Sequence, residues 1–239
     1  MKSLSILWIA LLITCSNASA VNITASSWLL ADSNGKIIKG SNTSEVRSIA
    51  SISKLITVMA VLDAGQDMTQ KIGNYTRREL IQLALVKSDN QAAVALCNNY
   101  PQGRSGCISA MNDKVRSLGL THTFLNEPTG LSIMNVSTAE ELIPIVMEAQ
   151  KYPAIVNASN TSNDKIQVKK KWYNFNNTNP IVSSYNFLVS KTGYIRASGG
   201  CIVMMLDTAF GRRIVILLNS KNTKTRIPEA EFIANLRVL

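Results

Sequence analysis

The order of strand-like and helix-like segments limits the fold of this 239-residue chain more than any other feature. Ser26 to Lys39 reads as two strands joined around the turn signal Asn34-Gly35. From residue 51 the period changes. Leu55, Val58, Met59 and Leu62 fall at i, i+3, i+4 and i+7, the spacing of one helix face, so residues 51–64 read as a helix closed near Gly65. Thr76–Val86, Gln91–Asn98, 108–118 and 137–150 also read as helices. The Asn/Ser/Thr cluster at 157–164 reads as a loop between lobes. After Ser162 the texture returns to strands at Lys165–Lys171, Tyr185–Lys191, Gly200–Asp207 and Arg213–Asn219, closed by a helix near 228–238 that carries Phe232, Ile233, Leu236 and Leu239. Strands at both ends with helices between them argue for an α/β sandwich with an inserted helical lobe.

Residues 1–20 read as a secretory leader. Lys2 supplies the positive start, Leu4 to Thr14 the apolar run, and Ala18-Ser19-Ala20 the small-residue cleavage site. The run is too short for a membrane span, and a lipid-attachment reading of Cys15 is disfavoured by the bulk of Thr14. The expectation is an exported chain of residues 21–239, without a stable membrane anchor. Export makes a disulfide between Cys97 and Cys107 plausible across the Asn-Asn-Tyr-Pro-Gln-Gly-Arg-Ser-Gly stretch. Cys201, in an apolar strand, reads as a small buried hydrophobe. The formal net charge is +10, which favours an anionic partner such as an acidic wall polymer or a membrane surface. Lys169-Lys170-Lys171-Trp172-Tyr173 is basic and aromatic. No nucleic-acid motif accompanies it, so it reads as a solvated strand edge blunted by lysines.

Three short strings carry the chemistry, in the order Ser51-Ile52-Ser53-Lys54, Ser88-Asp89-Asn90 and Lys191-Thr192-Gly193. Each is weak alone. S-x-x-K recurs at Ser33/Lys36 and Ser162/Lys165, and S-x-N at Ser184/Asn186 and Ser220/Asn222. Together they supply a nucleophilic serine, a lysine one helical turn on, a second hydroxyl with an amide, and a second lysine on a small-residue strand. That set performs acyl transfer without histidine, metal or cofactor. The sole histidine, His122, lies outside it. Ser51 and Lys54 project from the same side of a helix's first turn, where unpaired N–H groups and the positive dipole end favour developing negative charge. Ser51 is then the nucleophile and Lys54 its base, neutral through burial and a neighbouring cation, a role open to Lys191 if strand and helix face each other. Ser88 relays the proton. Asn90 bonds the substrate amide, Lys191 holds a carboxylate beside Thr192, and Gly193 lets substrate approach the strand.

In these strings and their neighbourhoods the chain resembles the low-molecular-mass penicillin-binding proteins, the serine D-alanyl-D-alanine carboxypeptidases and endopeptidases. The resemblance runs through Arg47–Leu55, Asn126-Glu127-Pro128-Thr129-Gly130-Leu131, Asn135–Ala139, Asn177–Pro180 and Lys191–Tyr194. The run Gly199–Met204 brings it nearest the endopeptidase branch. The resemblance implies a mainly antiparallel five-stranded sheet flanked by helices with an inserted all-helical lobe. It also implies an oxyanion hole from the N–H groups of Ser51 and Tyr194, peptidoglycan as substrate, β-lactams as covalent inhibitors and a periplasmic location. It favours a soluble endopeptidase over a membrane-bound carboxypeptidase. A serine β-lactamase stays open and would need a water-activating carboxylate, for which Glu127 and Glu140 are the candidates. A non-catalytic β-lactam or wall-binding sensor is the third reading.

Overall fold

The computed structural model describes residues 21–237; the expected leader and Leu239 lie outside them. The chain opens with β1 (Ser27–Asp32) and β2 (Ile37–Ser41), followed by the short β3 (Arg47–Ser48). A single 3₁₀ turn, Ala50–Ile52, leads into α1 (Ser53–Asp63). The two-residue strands β4 (Lys71–Ile72) and β5 (Tyr75–Thr76) precede α2 (Arg77–Gln82), α3 (Asn90–Asn98) and α4 (Gly103–Ser117). Then come β6 (Val136–Ser137), α5 (Ala139–Ala149), α6 (Pro153–Asn160), the hairpin β7 (Asn163–Val168) and β8 (Lys171–Asn176), and finally β9 (Phe187–Ile195), β10 (Gly199–Thr208), β11 (Gly211–Ser220) and α7 (Arg226–Ala234).

The main sheet has five strands in the order β2-β1-β11-β10-β9, every neighbouring pair antiparallel. Strand β10 shows why it forms here. Its run Cys201–Leu206 is apolar throughout and wholly buried, as a strand covered on both faces requires. Cys201, Val203 and Met205 face the helical core with α1 and α5. Ile202, Met204 and Leu206 face α7. Helix α1 runs beneath the sheet and is buried all round, not on one face only: Ser53 to Val61 are all inaccessible.

Several boundaries differ from the sequence reading. The cluster expected as a loop at 157–164 is helix to Asn160, because Ser159 and Asn160 bond back to the carbonyls of Ile155 and Val156 and stay helical. The expected strand 165–171 is broken by Lys169 and Lys170, whose positive φ angles make a hairpin turn into the unexpected β8. Helix α4 begins at Gly103, so Cys107 lies within it, and the Cys97–Cys107 disulfide ties α3 to α4. Helix α7 stops at Ala234, and Leu236 packs from beyond its end.

Candidate active site

Ser51 sits in the 3₁₀ turn where three elements meet. Its neighbour Ala50 has φ 45°, a left-handed conformation rare for alanine. Two glycines press on this turn. A Cβ on Gly193 of β9 would stand 2.9 Å from the Ile49 carbonyl oxygen and 3.0 Å from the Ser51 nitrogen. One on Gly130 would stand 2.0 Å from the Ala50 oxygen and 2.6 Å from the same nitrogen. Only glycine at both places lets sheet and loop close on the serine.

One turn further, Lys54 is fully buried. Its ammonium donates to Ser51 Oγ at 2.8 Å, Asn90 Oδ1 at 2.7 Å and the Thr129 carbonyl at 2.6 Å. Burial lowers its pKa to about 8, against the opposing pull of Glu127 and Asp89. Ser88 closes a π-type turn over Leu83–Lys87 and adopts φ 60°, a local irregularity typical of functional positions. Asp89 then caps α3 by accepting from the Ala92 N–H at 3.0 Å, which aims Asn90 of the first turn at Lys54.

Lys191, also buried, donates to Ser88 Oγ at 2.9 Å and to the Thr192 carbonyl at 3.0 Å. Burial first, then Lys54 and Arg226, push its pKa well down. Its amine therefore sits behind Ser88, near enough to Lys54 to act as the neighbouring cation. The cleft, about 220 Å³, is lined by Ser51, Ser88, Asn90, Thr192, Gly193 and Tyr194, together with Leu131, Thr178, Thr223 and Arg226. Six of the eight residues picked from sequence thus line it directly, and the two lysines stand behind them.

Arg226 escaped the sequence reading, since nothing marks an arginine at the start of a terminal helix. Its NH1 donates to the Gly193 carbonyl at 2.8 Å, locking α7 to the end of β9. Burial lowers its pKa, yet a guanidinium stays cationic in a protein. Thr178 also escaped; its hydroxyl lies 2.5 Å from that of Thr192. So did the Thr129 carbonyl, which side-chain motifs do not reveal.

Glu127 is not placed to activate water. Its carboxylate accepts from the N–H groups of Thr129, Gly130 and Ser132 and from the Thr129 hydroxyl, which depresses its pKa despite burial. It shapes the loop that offers the Thr129 carbonyl to Lys54. Asn135 ties this loop to the nucleophile turn. Its amide donates to Ser53 Oγ at 2.9 Å and to the Glu127 carbonyl at 2.8 Å. Its own carbonyl accepts from Ile49 N–H at 3.0 Å. Glu140 is engaged by the Thr43 hydroxyl, away from the cleft.

The sequence matches the family described as D-alanyl-D-alanine carboxypeptidase over residues 14–72 and 67–222. It is 38% identical over 212 residues to the D-alanyl-D-alanine endopeptidase of Escherichia coli K12, covering 78% of this chain and 68% of that one. It is 34% identical to the D-alanyl-D-alanine endopeptidase of Pseudomonas aeruginosa, covering 76% and 67%. The fold is similar to that of the Streptomyces K15 DD-transpeptidase, with TM-score 0.82 at 22% identity over 90% of this chain and 97% of that one. It is also similar to ampicillin-bound penicillin-binding protein D2 of Listeria monocytogenes, with TM-score 0.79 at 21% identity over 89% and 96%.

Proposed function

The chain belongs to the D-alanyl-D-alanine carboxypeptidase family and is a serine DD-peptidase, and from that premise we propose that Ser51 is its acyl nucleophile, in an endopeptidase that cuts the D-Ala cross-links of peptidoglycan. The observation that carries the reading is the 2.8 Å contact between the buried Lys54 amine and Ser51 Oγ. At pH 7 a group with a pKa of about 8 is neutral in about a tenth of molecules, enough to serve as base. The neutral amine takes the Ser51 proton while Oγ attacks the D-Ala carbonyl. The tetrahedral oxyanion lies against the N–H groups of Ser51 and Tyr194. Ser88, bonded to Lys191, passes a proton to the departing amine, and Asn90 and Thr192 hold the peptide. Water then hydrolyses the acyl-enzyme.

Arg226 takes the carboxylate next to the departing amine. A D-Ala terminus and a cross-link to diaminopimelate both place a carboxylate on the carbon bearing that nitrogen, so one guanidinium serves either substrate. The endopeptidase preference draws on the two relatives so named. No carboxylate is among the cleft-lining residues, which supports a long-lived β-lactam adduct over a β-lactamase. Export to the periplasm follows from the substrate's location; among the described residues no helix is long and apolar enough to cross a membrane.

The test has two parts. Fluorescent penicillin should label Ser51, by peptide mapping, with a rate that climbs as pH rises through about 8 and then levels, because only deprotonated Lys54 accepts a proton. Labelling at another serine, or a rate flat with pH, removes the assignment. Purified cross-linked muropeptide dimers should be cut; release of D-Ala from monomeric pentapeptides with dimers untouched would replace endopeptidase by carboxypeptidase.

A further inference from the structure

The β7–β8 hairpin has two unlike faces. Register pairs Asn163 with Asn176, Lys165 with Asn174 and Gln167 with Trp172. These six side chains share one face by strand alternation, and all six are exposed. The other face buries Ile166, Val168 and Phe175 in the helical core. A structural hairpin needs only that inner face. The outer one carries a single large ring, Trp172, 56% exposed, and four carboxamides, of which Gln167 lies opposite the ring and Asn174 two residues along its strand. Among the described residues none of those amides makes a side-chain hydrogen bond within the protein. The Lys165 amine lies over the ring, 4.8 Å from its centroid, and holds it upright on the face. Lys169 and Lys170 form the tip.

We infer that this outward face is a second binding site, for the amino-sugar strand of a glycan, and that it docks the polymer whose peptide enters the cleft. The glycan's role as substrate polymer rests on the function proposed above. An exposed indole offers a flat apolar surface to the C–H face of a pyranose ring. Carboxamides both donate and accept, which matches sugar hydroxyls and N-acetyl groups. A membrane-binding face would surround the ring with apolar residues, and a nucleic-acid face would be dominated by cations; here four amides share the face with the ring and one cation, Lys165. The placement suits a polymer substrate. Strand β8 ends two residues before Thr178, which lines the cleft. At roughly 3.3 Å per residue, Trp172 stands within roughly 20 Å of that wall along the chain. The tip lysines add charge complementary to the carboxylates of stem peptides carried by the same strand.

The probe is a chito-oligosaccharide, the N-acetylglucosamine tetramer, titrated against the full mature chain while tryptophan fluorescence is followed. It contains no peptide, so binding is read independently of peptidase activity. The expected result is saturable quenching that Trp172→Ala abolishes and an affinity on purified peptide-free glycan strands lowered about tenfold, the size of one aromatic contact. Penicillin labelling should be unchanged. Gln167→Ala combined with Asn174→Ala keeps the ring and should also weaken binding. Undiminished glycan binding in both variants, or retention on phosphatidylglycerol vesicles without oligosaccharide binding, overturns the inference and leaves the assignment of Ser51 intact.

Discussion

The cleft and the outer face of the β7–β8 hairpin lie on neighbouring stretches of the chain and solve opposite problems. At the cleft the two lysine amines and the Glu127 carboxylate behind the surface all have partners. Lys54 makes three hydrogen bonds, Lys191 two, and Glu127 is wrapped by backbone donors. On the hairpin face the polar groups are exposed. Chemistry on a carbonyl requires groups already fixed where charge will develop, since reorganising them during reaction would cost rate. Holding a long polymer tolerates side chains that settle only on contact. The difference teaches that buried amines bonded to serine hydroxyls mark where this protein reacts, and exposed amides with a ring where it grips.

The comparison is broken most directly at Lys54. Lys54→Ala should slow penicillin labelling of Ser51 by about 10²–10⁴-fold, the worth of a general base, while circular dichroism stays native. A rate near that of the parent would mean that the buried amine is not the base. Next in size is Gly130→Ala. The added Cβ overlaps the Ala50 carbonyl and φ is +82°, so unfolding free energy should fall by about 3 kcal/mol or more through strain and overpacking. Labelling should fall with it. Gly211→Ala is the control: φ is +90° with nothing within 4 Å, and the loss should be about 1–2 kcal/mol, strain alone. Equal losses at the two sites in urea titrations would show that the close approach to Ser51 is not what demands glycine.

Reduction of Cys97–Cys107 tests whether the helical lobe is a support or a participant. The bond joins α3 to α4 across ten residues of sequence, and its loss should cost about 2–3 kcal/mol by the loop-entropy estimate. Penicillin labelling below the melting transition should be unaltered. Smallest is a change at the hairpin tip. Lys169 and Lys170 hold φ 46° and 66°, which suits Asn-Gly better than lysine. Lys169→Asn with Lys170→Gly should raise stability by about 0.5–1 kcal/mol and leave labelling alone, while weakening the salt-sensitive part of glycan binding. A labelling change here would join the two regions that the structure separates.

How much of this was legible beforehand depends on the range of the interaction. The nucleophile turn could be read because Ser51 and Lys54 are three residues apart and a helix decides their meeting. The strands β10 and β11 could be read because their apolar runs need no partner to be recognised, while the five-stranded sheet came from the family resemblance. Arg226 could not, because it reaches the cleft only through the docking of α7 on β9. Nor could the Thr129 carbonyl, which has no side-chain signature. The sequence reading left Lys191 two roles, the cation beside Lys54 and the holder of a carboxylate. The fold buries its amine behind Ser88, a depth that local pattern does not encode. Strand β8 was missed because a lysine pair at a turn looks like a charged strand edge until register is known.

The place of β1 in the sheet has a consequence for how activity arises in time. Strand β1, Ser27–Asp32, the first among the described residues, pairs with β2 on one side and with β11, Gly211–Ser220, on the other. Strand β9, which closes on Ser51, joins that sheet only through β10 and β11. A chain still emerging from the ribosome can form the β1–β2 hairpin, yet it has no wall for its cleft until β11, Gly211–Ser220, has been added. The activity of this hydrolase is therefore born whole, once β11 is in place, and no shorter growing fragment carries a working share of it.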